Sequence, residues 1–107
     1  MSKVQNVTTS NFAAIVDNSD TTVIVDFSAS WCGPCKALAP VFDAVSETHG
    51  DKMSFVKVDI DDAPEIAQQY GVRGVPTLVI VRGGVAVAAA VGGQTRATLT
   101  KFVEDNL

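Results

Sequence analysis

Two cysteines, and only two, stand in the run Trp31-Cys32-Gly33-Pro34-Cys35-Lys36. Residues three positions apart meet on one face of a helix. Thiols so placed come within bonding reach and can open or close a disulfide with little backbone movement. Before the run lies Val23-Ile24-Val25-Asp26-Phe27, an apolar strand-like stretch. After it comes a helix-like stretch from Pro34 to His49. A C-x-x-C at a strand-to-helix junction within a β/α pattern reads as a redox motif. Two other readings of the pair are weaker. A static staple closing so small a loop adds roughly 2 kcal/mol. A chain with 47% apolar residues has core enough without it. Zinc usually wants four ligands, and beyond two thiols the sequence offers only His49, at the far end of a helix.

Asp26 is the second residue with chemistry in it. A carboxylate between Val25 and Phe27 in a central strand is out of place for stability. Buried without a cation it resists ionisation, so its pKa should rise. A group that titrates nearer neutrality can take a proton from a thiol as that thiol attacks. The plainer reading is a satisfied polar residue of the core.

The elements that must hold these groups follow from pattern. Val4 to Val7 suits a short first strand. Thr9-Ser10-Asn11 supplies N-cap residues for a first helix, with Phe12, Ile15 and Val16 at helical spacing. Thr22 to Ser28 is β-branched and apolar at consecutive positions, as in strands covered on both faces. The next helix starts near Pro34, a residue tolerated in a first turn. Leu38, Val41, Phe42 and Val45 form its buried stripe, Pro40 should kink it, and Gly50 is placed to stop it.

Ser54 to Ile60 reads as a third strand. Asp61-Asp62 can cap a short helix containing Ile66 and Tyr70, closed by Gly71. Thr77 to Val81 is a fourth strand, Gly83-Gly84 a hairpin turn, and Val85 to Val91 a fifth strand. Thr95 then caps a last helix with Leu99, Phe102, Val103 and Leu107 on its apolar stripe. The order βαβαβαββα implies an α/β domain: a mixed sheet with helices on both faces. Val85 to Val91 carries no charge. As an edge strand it would lack the Lys, Pro or bulge that discourages edge pairing, which favours self-association. As a covered strand of small residues it would not.

The 107 residues suffice for one compact domain spanning 1–107 and are too few for two. A net charge of −4 disfavours nucleic acid and anionic membrane as partners. No apolar run approaches the roughly 20 residues of a membrane span. No export or organelle leader is visible at Met1-Ser2-Lys3-Val4. A reducing cytosol is therefore the expected compartment, where a lone cysteine pair is more often catalytic or metal-binding than structural.

Taken in order, Val25-Asp26-Phe27, the Trp31–Lys36 run, Pro40, Lys57-Val58-Asp59, Tyr70-Gly71-Val72-Arg73-Gly74-Val75-Pro76-Thr77 and Val91-Gly92 resemble the thioredoxin family over essentially the whole chain. The resemblance implies the thioredoxin fold: a mixed five-stranded central sheet flanked by four helices on both faces. It implies a monomeric protein-disulfide reductant working by thiol–disulfide exchange, without a bound cofactor or metal. Cys32 is then the attacking thiol, favoured as thiolate at a helix N-terminus. Cys35 is the resolving thiol, Asp26 its proton acceptor through water, and Lys57 a modulator, the alternative for Lys57 being a solvated side chain.

The bond before Pro76 is cis in this family, baring the Val75 backbone for a substrate peptide to pair with in β fashion. Trp31, Gly33, Pro34, Ile60, Gly74, Val75, Pro76, Val91, Gly92 and Gly93 are implied as a flat docking surface, although each alone is commonly packing or turn chemistry. A thioredoxin reductase using NADPH and flavin is implied as electron source, although no residue here binds either group recognisably. Ser28 stands where some relatives carry an aromatic residue, which leaves one wall of the site more open. Gly33-Pro34 carries no positive charge to stabilise the Cys32 thiolate further, which argues for a reductant over an oxidase. The competing functions are a redox-switched binding module on the same surface and a disulfide oxidase or isomerase of the same fold.

Overall fold

A run that is apolar at consecutive positions needs cover on both faces. Val23–Ser28 (β2) receives it, with every residue buried. The computed structural model describes residues 1–107 and sets β2 at the centre of a five-stranded sheet. Gln5–Val7 (β1), Ser54–Asp59 (β3), Thr77–Arg82 (β4) and Val85–Val91 (β5) complete it in the order β1-β3-β2-β4-β5. β1, β3 and β2 run parallel, while β4 and β5 join antiparallel. The mixed α/β sheet is the one expected.

The flanking helices are Gly33–His49 (α1), Pro64–Gln69 (α2) and Arg96–Glu104 (α3). The expected fourth helix is only a π-helical turn, Ala13–Asp17. Thr9-Ser10-Asn11 does not cap it. Asn11 Oδ1 instead accepts the Thr8 N–H at 2.8 Å, so the side chain serves the loop before the turn. Asp61-Asp62 likewise fails to cap α2. Ala63 is the N-cap residue, Pro64 fills the first turn, and the Asp61 N–H is taken by Asp59 Oδ1 at 2.9 Å. Strand ends move by one residue: Val4, Thr22 and Ile60 fall outside, and Arg82 falls inside.

Side chains alternate across β2. Val23, Val25 and Phe27 pack with Phe12, Val16 and Ile66 on the α2 side. Ile24 packs with Leu38, Phe42, Phe55, Leu78 and Leu99 on the side covered by α1 and α3. Asp26 shares the face of Ile24, so the alternation puts it beneath α1. Glycine is required at two places. Gly83 and Gly84, at φ 60° and 78°, make a tight hairpin turn that a side chain would strain. Gly50 follows α1 with an ordinary φ of −65°, but a Cβ there would lie 2.5 Å from both Lys3 Cδ and Ser46 O.

Thr95 caps α3 as expected and adds a reciprocal bond with Thr98. Leu99 and Val103 are buried, whereas Leu107 lies past the helix and is exposed. β5 is an edge strand, and it does carry a bulge, against expectation. Ile80 pairs with Ala88 while Val81 pairs with Ala86, which leaves Val87 as the extra residue. No helix is long and apolar enough to cross a membrane.

Candidate active site

The chain leaves β2 at Ser28 and turns so that the Cys32 N–H reaches Ala29 O at 3.2 Å. Cys32 is the N-cap residue of α1. A helix start leaves several N–H groups without partners. Pro34 has none to offer, and the Cys35 N–H points back at Cys32 Sγ, 3.1 Å away. The two Cα atoms are 5.2 Å apart and the sulfurs form a disulfide. On reduction the same N–H and the positive end of α1 are in place to stabilise a Cys32 thiolate. Cys35, 2% exposed, is the more covered of the two, and Cys32 is also largely covered at 5%.

Asp26 is wholly buried and neither carboxylate oxygen has a hydrogen-bond partner. Burial pushes its pKa from 3.8 up to about 6. Lys57 pulls the other way and is outweighed. The register explains the pairing, since Asp26 and Lys57 are direct neighbours across β2 and β3. Asp26 and Lys57 line a cavity of about 260 Å³ together with Asn6, Ala39 and Asp43. Asn6, Ala39 and Lys57 also line a second, larger cleft of about 550 Å³ that includes Ser28 and Cys35. The carboxylate thus lines one space and the inner cysteine the other, and the two spaces share the walls of Asn6, Ala39 and Lys57.

The remaining expected residues gather around the pair. Ile60 and Val75 pack against Ala29, Cys32 and Cys35. Val75 O lies 3.7 Å from Cys32 Sγ, and the Val75–Pro76 bond is cis. The Gly92 N–H donates to Pro76 O at 2.8 Å, tying the two loops together. Gly74 comes against Val91, since a Cβ on it would sit 4.0 Å from Val91 Cγ1. Thr77 Oγ1 holds Gly74 O at 2.6 Å. Trp31 is 66% exposed and Val91 74%, while Gly33, Pro34 and Gly93 are also open to solvent. Pro76 is buried rather than presented.

The sequence reading missed one positioning residue: Asp61 Oδ2 accepts the Trp31 indole N–H at 2.9 Å and fixes the ring. Its place just after Ile60 is the only sequence signal for it. His49 is far from the cysteines and engages Thr48 Oγ1 and Glu104 Oε2.

The thioredoxin family profile matches residues 3–105. The chain is 44% identical to thioredoxin 1 of a Nostoc species and 37% identical to a thioredoxin of Haemophilus influenzae, in each case over 100% of both chains. It is 39% identical to thioredoxin C-2 of Corynebacterium nephridii, over 97% of this chain and 96% of that one. A disulfide-forming pair at a strand-to-helix junction, in a sheet of this order, agrees with those likenesses. The chain belongs to the thioredoxin family, and its Cys32–Cys35 pair is the redox-active dithiol/disulfide of a protein-disulfide oxidoreductase.

Proposed function

We propose that the protein reduces disulfides in other proteins, acting as one unit over residues 1–107 in a reducing, cytoplasmic compartment. The observation that carries this reading is the Cys35 N–H aimed at Cys32 Sγ at the start of α1. Cys32, as thiolate, attacks one sulfur of the substrate disulfide, and the other sulfur leaves as a thiolate. A mixed disulfide at Cys32 results. Cys35 then passes its proton towards Asp26 through water and attacks Cys32 Sγ, and the second substrate sulfur departs. The substrate gains two electrons and the protein is left with the Cys32–Cys35 disulfide. Lys57, beside Asp26, tunes how readily that carboxyl gains and loses the proton.

Trp31, Gly33, Pro34, Ile60, Gly74, Val75, Val91, Gly92 and Gly93 serve as the docking surface, with Pro76 buried beneath it and setting the cis bond that presents Val75. Its weakly polar character suits many partners and little sequence selectivity. The family works on disulfide-containing proteins and is recharged by thioredoxin reductase in general. For this chain that reductase is the proposed electron source. Gly33 and Pro34 add no cation to stabilise the thiolate, which supports a reducing rather than oxidising role.

The test is dithiothreitol-driven reduction of insulin. The protein should accelerate it, Cys32→Ser should abolish the acceleration, and Cys35→Ser should accumulate mixed disulfides. No acceleration by the unaltered protein sinks the proposal.

A further inference from the structure

A substrate that pairs in β fashion needs free backbone groups to pair with. The N–H groups of Arg73, Gly74 and Val75 donate to no group of the chain. A stretch with no ladder of its own is placed by its two ends. At the far end Thr77 Oγ1 donates to Gly74 O, and the Gly92 N–H donates to Pro76 O. At the near end the Val72 N–H donates to Ala67 O at 2.9 Å, and Tyr70 and Val72 pack on the core.

Tyr70 is the heavier of these two anchors. It follows α2 directly, and its ring lies against Phe12 and Phe27, with centroids 5.6 and 5.7 Å away. Apolar burial is non-directional, so it does not by itself fix how far the ring is inserted. The hydroxyl does that, donating to Asp17 Oδ1 at 2.9 Å. A hydrogen bond to a carboxylate is roughly twice as strong as a neutral one. Burial, with Asp17 second, pushes the Tyr70 phenol well above its ordinary pKa, so the donor keeps its proton.

Asp17 is itself held in place. It ends the π-helical turn, which Val16 and the preceding Phe12 bury in the core with Ile15 packed beside them. Its carbonyl oxygen lies against the β4–β5 turn, where a Cβ on Gly84 would come within 3.0 Å. Its carboxylate caps no helix and has Tyr70 as its partner.

We infer that the Tyr70–Asp17 pair is a positioning device for the substrate-pairing residues 73–75. Tyr70 touches no substrate and acts through Val72 and the three residues after it. Val75 O, 3.7 Å from Cys32 Sγ, is the point that the bracing fixes relative to the attacking sulfur. The role rests on the docking surface proposed above. It makes the reduction of protein disulfides, but not of small ones, depend on a bond that no substrate reaches.

Tyr70→Phe keeps the ring and removes the donor. Single-turnover reduction of insulin by the pre-reduced variant should slow about fivefold, as when one loop in about five is in place. Reduction of hydroxyethyl disulfide, which has no backbone to pair, should keep its rate. Asp17→Ala should repeat both results. Asp17→Asn, whose amide oxygen still accepts, should recover most of the insulin rate. Tyr70→Phe combined with Asp17→Ala should be no slower than either alone, since both remove one bond. Thr95→Ala loosens the fold elsewhere and should leave both rates unchanged. Hydrogen exchange of the Val72 N–H in the oxidised protein should quicken about fivefold in Tyr70→Phe and not in Thr95→Ala.

Equal slowing of both disulfides, an unchanged insulin rate, no recovery by Asp17→Asn, or unchanged exchange at Val72 overturns the inference. The exchange readout involves no disulfide substrate. Its failure is therefore distinct from a failure of the unaltered protein to reduce insulin, which would overturn the proposed function instead.

Discussion

Asp26 shows how one residue couples chemistry to stability. Its folded value of about 6 lies above the free value of 3.8, so between those values the native state holds a proton that the unfolded chain has released. Stability from this group is therefore greatest below about pH 4 and falls as pH rises through about 6, by about 3 kcal/mol in all. Asp26→Asn should remove that loss and be more stable by about 3 kcal/mol at neutral pH, with little advantage near pH 4. Urea unfolding of both proteins across pH measures the difference. Subtracting one curve from the other cancels Glu47, Asp51 and Glu65, exposed carboxyls whose values are lowered mainly by a hydrogen bond to the N-terminus, Lys3 and Thr9 respectively. The same variant should slow resolution of the mixed disulfide by about 10²-fold, the usual scale for losing a general base. Equal stability and equal turnover would rule Asp26 out as the proton acceptor.

At the scale of elements, the sequence was legible where a local signal had no competitor. Thr95 had a free N-cap position and took it, Gly83-Gly84 had a turn to make, and the cysteines stood at a junction that pattern alone defines. It was illegible where a side chain had a nearer use. Asn11 was drawn to the Thr8 N–H and Asp59 to the Asp61 N–H, so caps expected at Thr9–Asn11 and Asp61–Asp62 did not form. The cleft beside Cys35 was hidden for another reason: its width depends on small residues from three elements meeting in space. Ser28 alone hinted at it.

Thr95→Ala should cost about 1 kcal/mol by thermal or urea unfolding, because Thr98 N–H loses its acceptor. Gly50→Ala should cost about 1–3 kcal/mol, the range for forced overpacking. Adding Lys3→Ala should recover only part of that loss. The Lys3 side chain can swing away, whereas Ser46 O belongs to the α1 backbone. Full recovery would mean that the side chain was the whole obstacle.

For the whole molecule the open question in the sheet is its uncharged edge. β5 presents Val85, Val87 and Val91 to solvent, and no lysine or proline guards it. Arg82, the nearest cation on the adjoining strand, is spent on Thr22 Oγ1 and the Asn106 carbonyl. What protects the edge is geometry. The extra residue at Val87 interrupts the ladder midway, and a bulge bends and twists a strand so that a flat partner cannot follow it.

The protein should therefore sediment as one monomeric species across a wide concentration range. Deleting Val87 restores an unbroken ladder against β4 and straightens the free edge. That variant, if circular dichroism shows the fold intact, should associate reversibly as concentration rises, two copies pairing β5 to β5 antiparallel about a two-fold axis. Association of the unaltered protein would show that the bulge is too weak a guard. A deletion variant that stays monomeric would show that something other than the bulge keeps the edge unpaired.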